Sequence, residues 1–271
     1  MHVVILGLGY TAGRLAMRLR AMGSQVTATS RSGAPGTVRL DGMELRAAIA
    51  TATHILSSVP PVDGDDPVLS LLHADLIAAP ARWIGYLSST GVYGDTDGAW
   101  VDETASIGGR RVDRIAADRA WQALRPDVHV FRLPGIYGPG RSAIDMVRSG
   151  RAHRVNAPSQ LFSRVHVDDI GTALMRSMAN PTPGVFNLAD AEPATGSAVV
   201  EYACDLLGVP YPPLIAPDSP ALSPVARGFY TESRRVAAGK AARVLGFTPR
   251  YADYRAGLRA CLSPASDPAT R

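Results

Sequence analysis

The sequence predicts an α/β protein built on a doubly wound parallel sheet, with a smaller lobe in the C-terminal half. Two observations carry this prediction. Short apolar segments rich in β-branched residues alternate with segments of helical spacing through the first half of the chain, and the links between them are short. A glycine-rich turn joins the first of these strands to the first helix, as in βαβ units that bind dinucleotides. The predicted fold is therefore of the Rossmann type.

The first half of the chain is predicted to contain six strands and four helices. Apolar stretches that stop at glycine, proline or polar clusters predict the strands Val3–Leu6, Gln25–Thr29, Thr37–Leu40, Thr53–Val59, Arg82–Leu87 and Val128–Leu133. Apolar residues at helical spacing predict a helix around Leu15 and Leu19, followed by the helices Met43–Ala50, Pro67–Ala79 and Arg111–Leu124. Ligands bind at the carboxyl ends of the strands in such sheets, so the loops after these strands are the expected site.

The second half has a different pattern. One helix is predicted from Ser142 to Gly150, and a second begins after Asp169 and ends at Ala179. Two more helices are predicted over Thr195–Leu207 and Ser233–Leu245, and a strand is predicted over Val185–Leu188. Crowded prolines predict irregular chain over Pro210–Pro224, and Leu262–Arg271 is predicted to be a frayed tail. We expect residues 1–134 with 162–188 to form the Rossmann domain, and residues 135–161 with 189–271 to form a smaller substrate lobe.

The composition limits the possible partners. With 271 residues and 46% apolar side chains, the chain can bury a large core without disulfides or a metal ion. Its arginines are spread along the chain without a nucleic-acid-binding motif, and no apolar segment has the length of a membrane span. Cys204 and Cys261 lie far apart and are expected to be small buried residues in a reducing compartment. We therefore expect a cytoplasmic protein with no metal, nucleic-acid or membrane partner.

The turn after the first strand is the strongest functional signal. Gly7 allows a tight turn, and Gly9 lets the backbone approach a pyrophosphate whose charge lies at the helix N-terminus. Two glycine spacings fit the turn, GxGxxA and a GxxGxxG pattern whose middle glycine is replaced by Tyr10. The predicted dinucleotide contacts in this turn are Gly7, Gly9, Tyr10, Thr11, Ala12 and Gly13.

Arg31 determines which cofactor is predicted. It stands at the end of the second strand, where NAD-binding proteins keep an Asp or Glu for the ribose hydroxyls. An arginine there suits the 2′-phosphate of NADP, so NADP is predicted in preference to NAD. The ends of three other strands supply the remaining predicted cofactor contacts, Ser57, Val59, Ser88 and Pro134.

Several further segments are recognisable as motifs. They are Ser88–Gly94, Arg132–Gly140, Arg164–Asp169, Phe186–Asp190 and Leu245–Phe247. Together with the N-terminal turn, these segments resemble the extended short-chain dehydrogenase/reductase superfamily, of the NAD(P)-dependent epimerase/dehydratase type. The resemblance covers most of the chain in the same order. It implies a Rossmann fold, a nicotinamide cofactor and a small-molecule substrate.

The resemblance also implies a proton relay that this sequence has altered. In that superfamily a Ser or Thr polarises the substrate oxygen beside a Tyr acid/base, and a Lys four residues after the Tyr lowers its pKa. Ser89 matches the first position, whereas the Tyr and Lys positions fall on Arg110 and Arg114. An arginine is not deprotonated at working pH and cannot shuttle protons. The only lysine, Lys240, has Val236 four residues before it, so the sequence carries no Tyr-x-x-x-Lys motif.

Two functions are compatible with this sequence. The first is an epimerase/dehydratase-like protein or oxidoreductase that acts on an unidentified small substrate through Ser89 and a cleft tyrosine, either Tyr93 or Tyr137. The arginines that would suit an anionic substrate are Arg110, Arg114 and Arg141. The second is a non-catalytic NADP(H)-binding redox sensor or regulatory protein. An open substrate pocket would favour the first function, and a cleft filled by side chains would favour the second.

The resemblance further implies a homodimer. Extended members of the superfamily commonly pair through two helices, which here correspond to Pro67–Ala79 and Arg111–Leu124. The second of these carries alanines small enough for close packing at a two-fold axis, namely Ala116, Ala117, Ala120 and Ala123.

Overall fold

The computed structural model describes residues 1–31 and 33–262, which contain twelve strands and ten helices. The strands are β1 (His2–Leu6), β2 (Gln25–Ala28), β3 (His54–Ser57), β4 (Trp83–Ser89), β5 (Trp100–Val101), β6 (Val128–Leu133), β7 (Gly135–Tyr137), β8 (Arg154–Val155), β9 (Arg164–His166), β10 (Gly184–Asn187), β11 (Leu214–Ile215) and β12 (Arg235–Val236). The helices are α1 (Tyr10–Ala21), α2 (Met43–Ile49), α3 (Pro67–Ala78), α4 (Val112–Leu124), α5 (Ala143–Arg148), α6 (Val167–Ala179), α7 (Gly196–Leu207), α8 (Pro224–Gly228), α9 (Gly239–Leu245) and α10 (Tyr254–Leu262). A short 3-10 turn, Thr90–Val92, follows β4.

Six of the strands form one fully parallel sheet in the order β10-β6-β4-β3-β1-β2. The direction in which strands are added reverses between β1 and β3. Ligands bind in the crevice at such a reversal, outside the carboxyl ends of the strands. The predicted α/β class and Rossmann-type sheet are confirmed.

Helices cover both faces of this sheet. On one face, Leu15 of α1 and Leu174 of α6 pack in the same apolar core as Val3. On the other face, Trp121 of α4 belongs to the core that contains Val4. Successive residues of β1 therefore enter opposite cores. Because both faces are covered, the strand is apolar from Val3 to Leu6 instead of alternating with polar residues.

The predicted strand at Thr37–Leu40 is wrong. Only Val38 reaches the sheet, through a single parallel bridge to Thr29. The link before it turns at Gly36, which has a φ of 78°. The segment therefore touches the edge of the sheet at one position and then leaves it.

The predicted helix over Ser233–Leu245 is wrong in its first half. Arg235 and Val236 form β12, which pairs in parallel with the distant strand β5, and α9 begins only at Gly239. Local spacing cannot reveal such a pairing, because strand formation depends on the partner strand. Helix α10 was not predicted, and the predicted tail from residue 263 onwards lies outside the described residues.

A third apolar cluster lies apart from the two cores of the sheet. It is formed by α5, α7 and α10 and contains Ile144, Val199 and Leu258. This cluster fits the expectation of a smaller C-terminal lobe, whose boundaries stay a prediction. None of the helices within the described ranges is long and apolar enough to cross a membrane.

Candidate functional site

A cleft of about 770 Å³ runs along the carboxyl ends of the central strands and continues into the C-terminal half. At one end it is bounded by residues of the turn after β1 and of the loop after β3, namely Gly9, Tyr10, Thr11, Ser58 and Pro60. Its middle is formed by the ends of β4 and β6, namely Leu87, Ser88, Ser89, Leu133 and Pro134. The other end is rich in arginine and aromatic side chains. The cleft is therefore open, and it joins the predicted cofactor turn to the predicted substrate region.

The turn after β1 leaves room for a phosphate. Gly7 has a φ of 89°, and a Cβ on it would stand 2.8 Å from Val59 Cγ2. Among the described residues, apart from chain neighbours and the backbone of helix α1 itself, no heavy atom lies within 4 Å of the Cβ positions of Gly9 and Gly13. Helix α1 begins directly after Gly9 without a side-chain cap, so the N–H groups of its first turn can bind an anion. The residues present fit a dinucleotide pyrophosphate.

Hydrogen bonds from neighbouring strands fix this turn. Gly7 N donates to Thr29 Oγ1 at 2.9 Å, and Leu8 N donates to Thr29 O at 2.7 Å. Ser58 Oγ donates to Gly7 O at 2.5 Å. The turn is thus held in shape before any ligand binds.

Neither of the two cofactor contacts predicted at the end of β3, Ser57 and Val59, lines the cleft. Ser57 is fully buried in the sheet, and Val59 packs against Gly7. Ser58 and Pro60 line the cleft instead. Because successive strand residues point in opposite directions, an error of one position exchanges the buried side chain for the exposed one.

Tyr10 and Arg141 connect the turn to the second half of the chain. The Tyr10 hydroxyl donates to Pro139 O at 3.1 Å, and the Arg141 guanidinium lies over the Tyr10 ring. Burial raises the pKa of Tyr10 to about 12, so its hydroxyl stays protonated. Arg31 is exposed just beyond β2, and its contact with a 2′-phosphate stays a prediction.

A buried network supports the end of β4. Asp118 pairs with Arg132 at 2.8 Å, and Ser88 Oγ donates to Asp118 at 2.5 Å. Arg132 also donates to the Tyr93 hydroxyl, which in turn donates to Asn187 Oδ1 at 2.7 Å. Tyr93 is therefore a buried structural link, although it was a predicted catalytic residue. Its position gives no support to a role in proton transfer.

Tyr137, the other predicted tyrosine, faces a second cavity of about 350 Å³ beside α5. Its hydroxyl donates to Asp253 O at 3.3 Å, and its ring packs edge-on against His166. Burial raises the pKa of Tyr137 far above the usual range. The structure thus brings neither predicted tyrosine to Ser89 in the main cleft.

Ser89 lines the cleft, and its contact with a substrate stays a prediction. It ends β4 and caps the following 3-10 turn, where its Oγ accepts from Gly91 N at 3.1 Å. A serine hydroxyl can accept and donate at the same time. Within the described chain its proton has no acceptor, so Ser89 can donate to a ligand oxygen.

Two glycines bring the start of α4 against this turn. Gly108 N and Gly109 N both donate to Val92 O at 3.0 Å. A Cβ on Gly109 would overlap Gly91 O, so only glycine allows this approach. The arginines that follow Gly109 consequently line the same cleft as Ser89, and Arg111 Cδ lies 3.8 Å from the Cβ position of Gly91.

These arginines differ in their partners. Arg110 donates to Gly228 O at 2.5 Å and lies 3.6 Å from Glu232, so its guanidinium is largely committed to the protein. Arg111 lies over the Phe229 ring. Burial, and then the charges of Arg110 and Arg114, lower the pKa of Arg111. An anion in the cleft would offset this repulsion between like charges.

Arg234 lines the cleft, but the sequence did not identify it as a site residue. A Cβ on Gly91 would stand 3.3 Å from Ser89 Oγ and 4.0 Å from Arg234 Nη2. The other terminal nitrogen, Nη1, donates to Gly94 O at 2.5 Å and to Glu232 at 3.1 Å. The sequence placed Arg234 in a helix, which hid the fact that its segment is extended and crosses the cleft.

The cleft as a whole is strongly cationic. Seven arginines line it, namely Arg110, Arg111, Arg114, Arg141, Arg151, Arg164 and Arg234. Among the described lining residues Glu232 is the only carboxylate. The three arginines predicted to suit an anionic substrate all belong to this set. Positive charge of this density suits a carboxylate or a phosphate.

A solved structure of a functionally unknown conserved protein from Silicibacter pomeroyi DSS resembles this chain over nearly its full length. The two chains are 41% identical, the match covers 96% of this chain and 97% of the other, and the TM-score is 0.85. The chain belongs to the same family as that conserved protein. It is also 28% identical to protein YeeZ of Escherichia coli K12 over 234 residues, which cover 71% of this chain and 79% of YeeZ. No protein-family model matches the chain.

Two other solved structures share the architecture at lower identity. The human epimerase family protein SDR39U1, determined with NADPH, is 18% identical, with a TM-score of 0.79 and coverage of 97% of this chain and 100% of that chain. MoeE5, determined with UDP-glucose and NAD, is 22% identical, with a TM-score of 0.76 and coverage of 97% of both chains. This chain has the extended short-chain dehydrogenase/reductase fold. The resemblance first recognised in the motifs is confirmed at the level of the fold.

Within this extended short-chain dehydrogenase fold, the geometry limits the chemistry of the cleft. The turn after β1 can hold a dinucleotide, and Ser89 can donate a hydrogen bond to a substrate oxygen. Arg111 and Arg234 can bind an anion next to it. Proton transfer by either predicted tyrosine would require a large rearrangement of buried contacts.

Proposed function

We propose that this chain is an NADP(H)-dependent hydride-transfer enzyme, of the oxidoreductase or epimerase type, that acts on a small anionic substrate. The observation that carries the proposal is the continuity of one open cleft. It joins the glycine turn after β1, the Ser89 hydroxyl and the arginine cluster without a filled section between them. The similar structures determined with NAD or NADPH support a nicotinamide cofactor of one kind or the other.

Each part of the cleft has a role in this proposal. The turn after β1 binds the pyrophosphate, and Arg31 binds the 2′-phosphate that distinguishes NADP from NAD. The cofactor, when bound, supplies or accepts the hydride. Ser89 donates a hydrogen bond to the oxygen on which negative charge develops. The positive charge of Arg111 and Arg114, which both line the cleft, holds the anionic group of the substrate.

A second candidate function is a non-catalytic NADP(H)-binding sensor or regulatory protein. It is favoured by Arg110 and Arg114, which stand where the resemblance places the Tyr and Lys of the proton relay. General acid–base catalysis contributes about 10²–10⁴-fold, so losing the relay would leave an ordinary family substrate nearly inert. On either function, we expect nucleotide sugars and simple secondary alcohols to give little hydride transfer.

The deciding experiment combines a binding measurement with a substrate panel. Calorimetry with NADPH and NADH measures cofactor binding, and the absorbance of the reduced nicotinamide then reports turnover of anionic and neutral carbonyl compounds. We expect turnover only with anionic compounds. In the double variant Arg111→Met/Arg114→Met, this turnover should be lowered by about 10-fold or more, because two charge-assisted contacts with the anion are lost. Arg119→Met, on the exposed face of the same helix, is the matched control. Tight NADPH binding with no turnover across the panel would support the sensor instead.

A further inference from the structure

Residues 216–232, here called the wall segment, form one side of the cleft at its arginine-rich end. The segment supplies six of the lining residues, namely Leu222, Ala226, Gly228, Phe229, Tyr230 and Glu232. Both of its ends are fixed to the rest of the protein. Before it, β11 pairs with β8, and after it Ser233 O accepts from Thr96 N and Gly98 N at 3.0 Å. The wall segment is therefore a loop that is held at two points, with helix α8 between them.

The wall segment has little apolar anchorage. Leu222 is its only buried residue, and no residue of the segment belongs to any of the four apolar clusters of the described chain. Helix α8 buries none of its side chains, and Val225 and Phe229 are 65% and 50% exposed. Because burial of apolar surface is the main favourable contribution to folding, this segment is held more weakly than the sheet.

The polar anchorage of the wall segment comes from two residues. Within the described structure, every hydrogen bond between the segment and the chain before it is made by Arg110 or Gln160. Arg110 donates from Nη2 to Gly228 O at 2.5 Å and from its backbone N to Glu232 at 3.1 Å. Gln160 Nε2 donates to two carbonyl oxygens of the segment, at 2.6 and 3.3 Å. Hydrogen bonds from a charged group are about twice as strong as those from a neutral amide, so Arg110 contributes the stronger anchor.

Two aromatic contacts complete this side of the cleft. The Arg111 guanidinium lies 5.5 Å from the centre of the Phe229 ring, and Tyr230 packs edge-on against Phe162 at 5.5 Å. Phe162 itself lies outside the segment, and its backbone exchanges two hydrogen bonds with Ala194. Movement of the wall segment away from the cleft would therefore uncover Phe162 and widen the arginine-rich end. The turn after β1 would keep its shape, because its hydrogen bonds come from Thr29 and Ser58.

We propose that the wall segment opens and closes as one unit over the arginine-rich end of the cleft, and that Arg110 is the residue that keeps it closed. The inference goes beyond the proposed function and applies equally to both candidate functions. It gives a role to the arginine that stands where the resemblance places the acid/base tyrosine: Arg110 binds the side of the cleft. Opening also unwinds the five-residue helix α8, because so short a helix is not stable in water without tertiary contacts.

Hydrogen exchange of the full-length protein, followed by NMR, tests this opening. The amides of Arg227, Phe229 and Tyr230 donate within α8 and the turn after it, so their protection reports whether α8 is formed. A single opening exposes all three amides, and their protection factors in the wild type should agree within about threefold. Protection that falls off one amide at a time would show fraying and would overturn the opening as a unit.

Variants test the anchor. Arg110→Gln should lower the three protection factors together by about 10-fold or more, because the charge-assisted contacts with Gly228 O and Glu232 are lost. Gln160→Ala should lower them less, and Arg110→Lys, which keeps the charge, should lie between the wild type and Arg110→Gln. Arg227→Gln removes an exposed arginine of the segment itself and is the matched control, with unchanged protection expected. The amides of β1 should stay protected in every variant.

Hydroxyl-radical footprinting shows whether the cleft itself opens. Oxidation of Phe162 should rise in Arg110→Gln and stay at the wild-type level in Arg227→Gln, whereas the fully buried Phe131 should resist oxidation in both. Faster amide exchange without greater oxidation of Phe162 would mean that α8 unwinds in place, which contradicts the opening. Equal protection in the wild type and Arg110→Gln would remove Arg110 as the anchor. These measurements use neither cofactor nor substrate, so their failure leaves the proposed function standing.

Discussion

Asp118 offers a direct test of the buried network beneath the candidate site. Its carboxylate is 0% exposed and accepts four hydrogen bonds, from Ser88 Oγ, Gln122 Nε2 and the Nε and Nη2 atoms of Arg132. In Asp118→Ala, the Arg132 guanidinium would stay buried, with Tyr93 as its remaining hydrogen-bond partner. Removing one member of a buried ion pair costs about 3–5 kcal/mol, because the other charge is left uncompensated.

The expected loss in the free energy of unfolding lies near the upper end of that range, since Ser88 and Gln122 also lose their acceptor. Such a loss is a large fraction of the total stability of about 5–15 kcal/mol that is typical of a domain. Urea unfolding followed by tryptophan fluorescence measures it, because Trp83 and Trp121 are both buried in the sheet domain. An unchanged m-value would show that the native state stays compact.

Two controls make this prediction refutable. Asp41→Ala removes the partner of Arg39 in an exposed pair and should change stability little. The double variant Asp118→Leu/Arg132→Met should recover most of the free energy of unfolding that Asp118→Ala loses, because neither charge of the pair then remains buried. If Asp118→Ala cost less than about 1 kcal/mol, the assignment of an uncompensated charge to Arg132 would be refuted.

Three further predictions concern pH, cofactor and assembly. Burial raises the pKa of Asp190 from 3.8 to about 7, so the folded state holds this proton more tightly and stability falls as the pH rises from about 4 to about 7. Relative to the wild type, Asp190→Asn should raise the free energy of unfolding in urea by on the order of a few kcal/mol at pH 8 and by almost nothing at pH 4. Equal gains at the two pH values would contradict the raised pKa of Asp190. Arg31→Ala should weaken NADPH binding about 10-fold or more in calorimetry and leave NADH binding unchanged, whereas equal wild-type affinities for the two cofactors would exclude the 2′-phosphate contact. Light scattering of the wild type should give the mass of a homodimer. Leu71→Glu, which places a charge on the exposed face of α3, should give the mass of a monomer. A wild-type monomer at micromolar concentration would contradict the predicted homodimer.

Features set by local chemistry were predictable from the sequence. The uninterrupted apolar run of β1 indicated a strand buried on both faces, and Gly7 and Gly9 indicated the turn that follows it. Ser89 was placed correctly at the end of β4 because a motif surrounds it. Boundaries and side-chain directions were less secure. The one-residue displacement from Ser57 to Ser58 exchanged a buried side chain for one in the cleft.

The sequence by itself determined the fold class, the glycine turn after β1 and the excess of arginine over lysine, because each depends on residue type and short-range spacing. The tertiary structure decided which arginines line the cleft together with Ser89, and that Tyr93 and Tyr137 do not line it. Arg234 reaches the cleft only because β12 pairs with the distant β5, and Tyr93 is withdrawn from it by Arg132 and Asn187. Such contacts join residues far apart in the chain, and their geometry is set by packing and strand pairing, which no local pattern records.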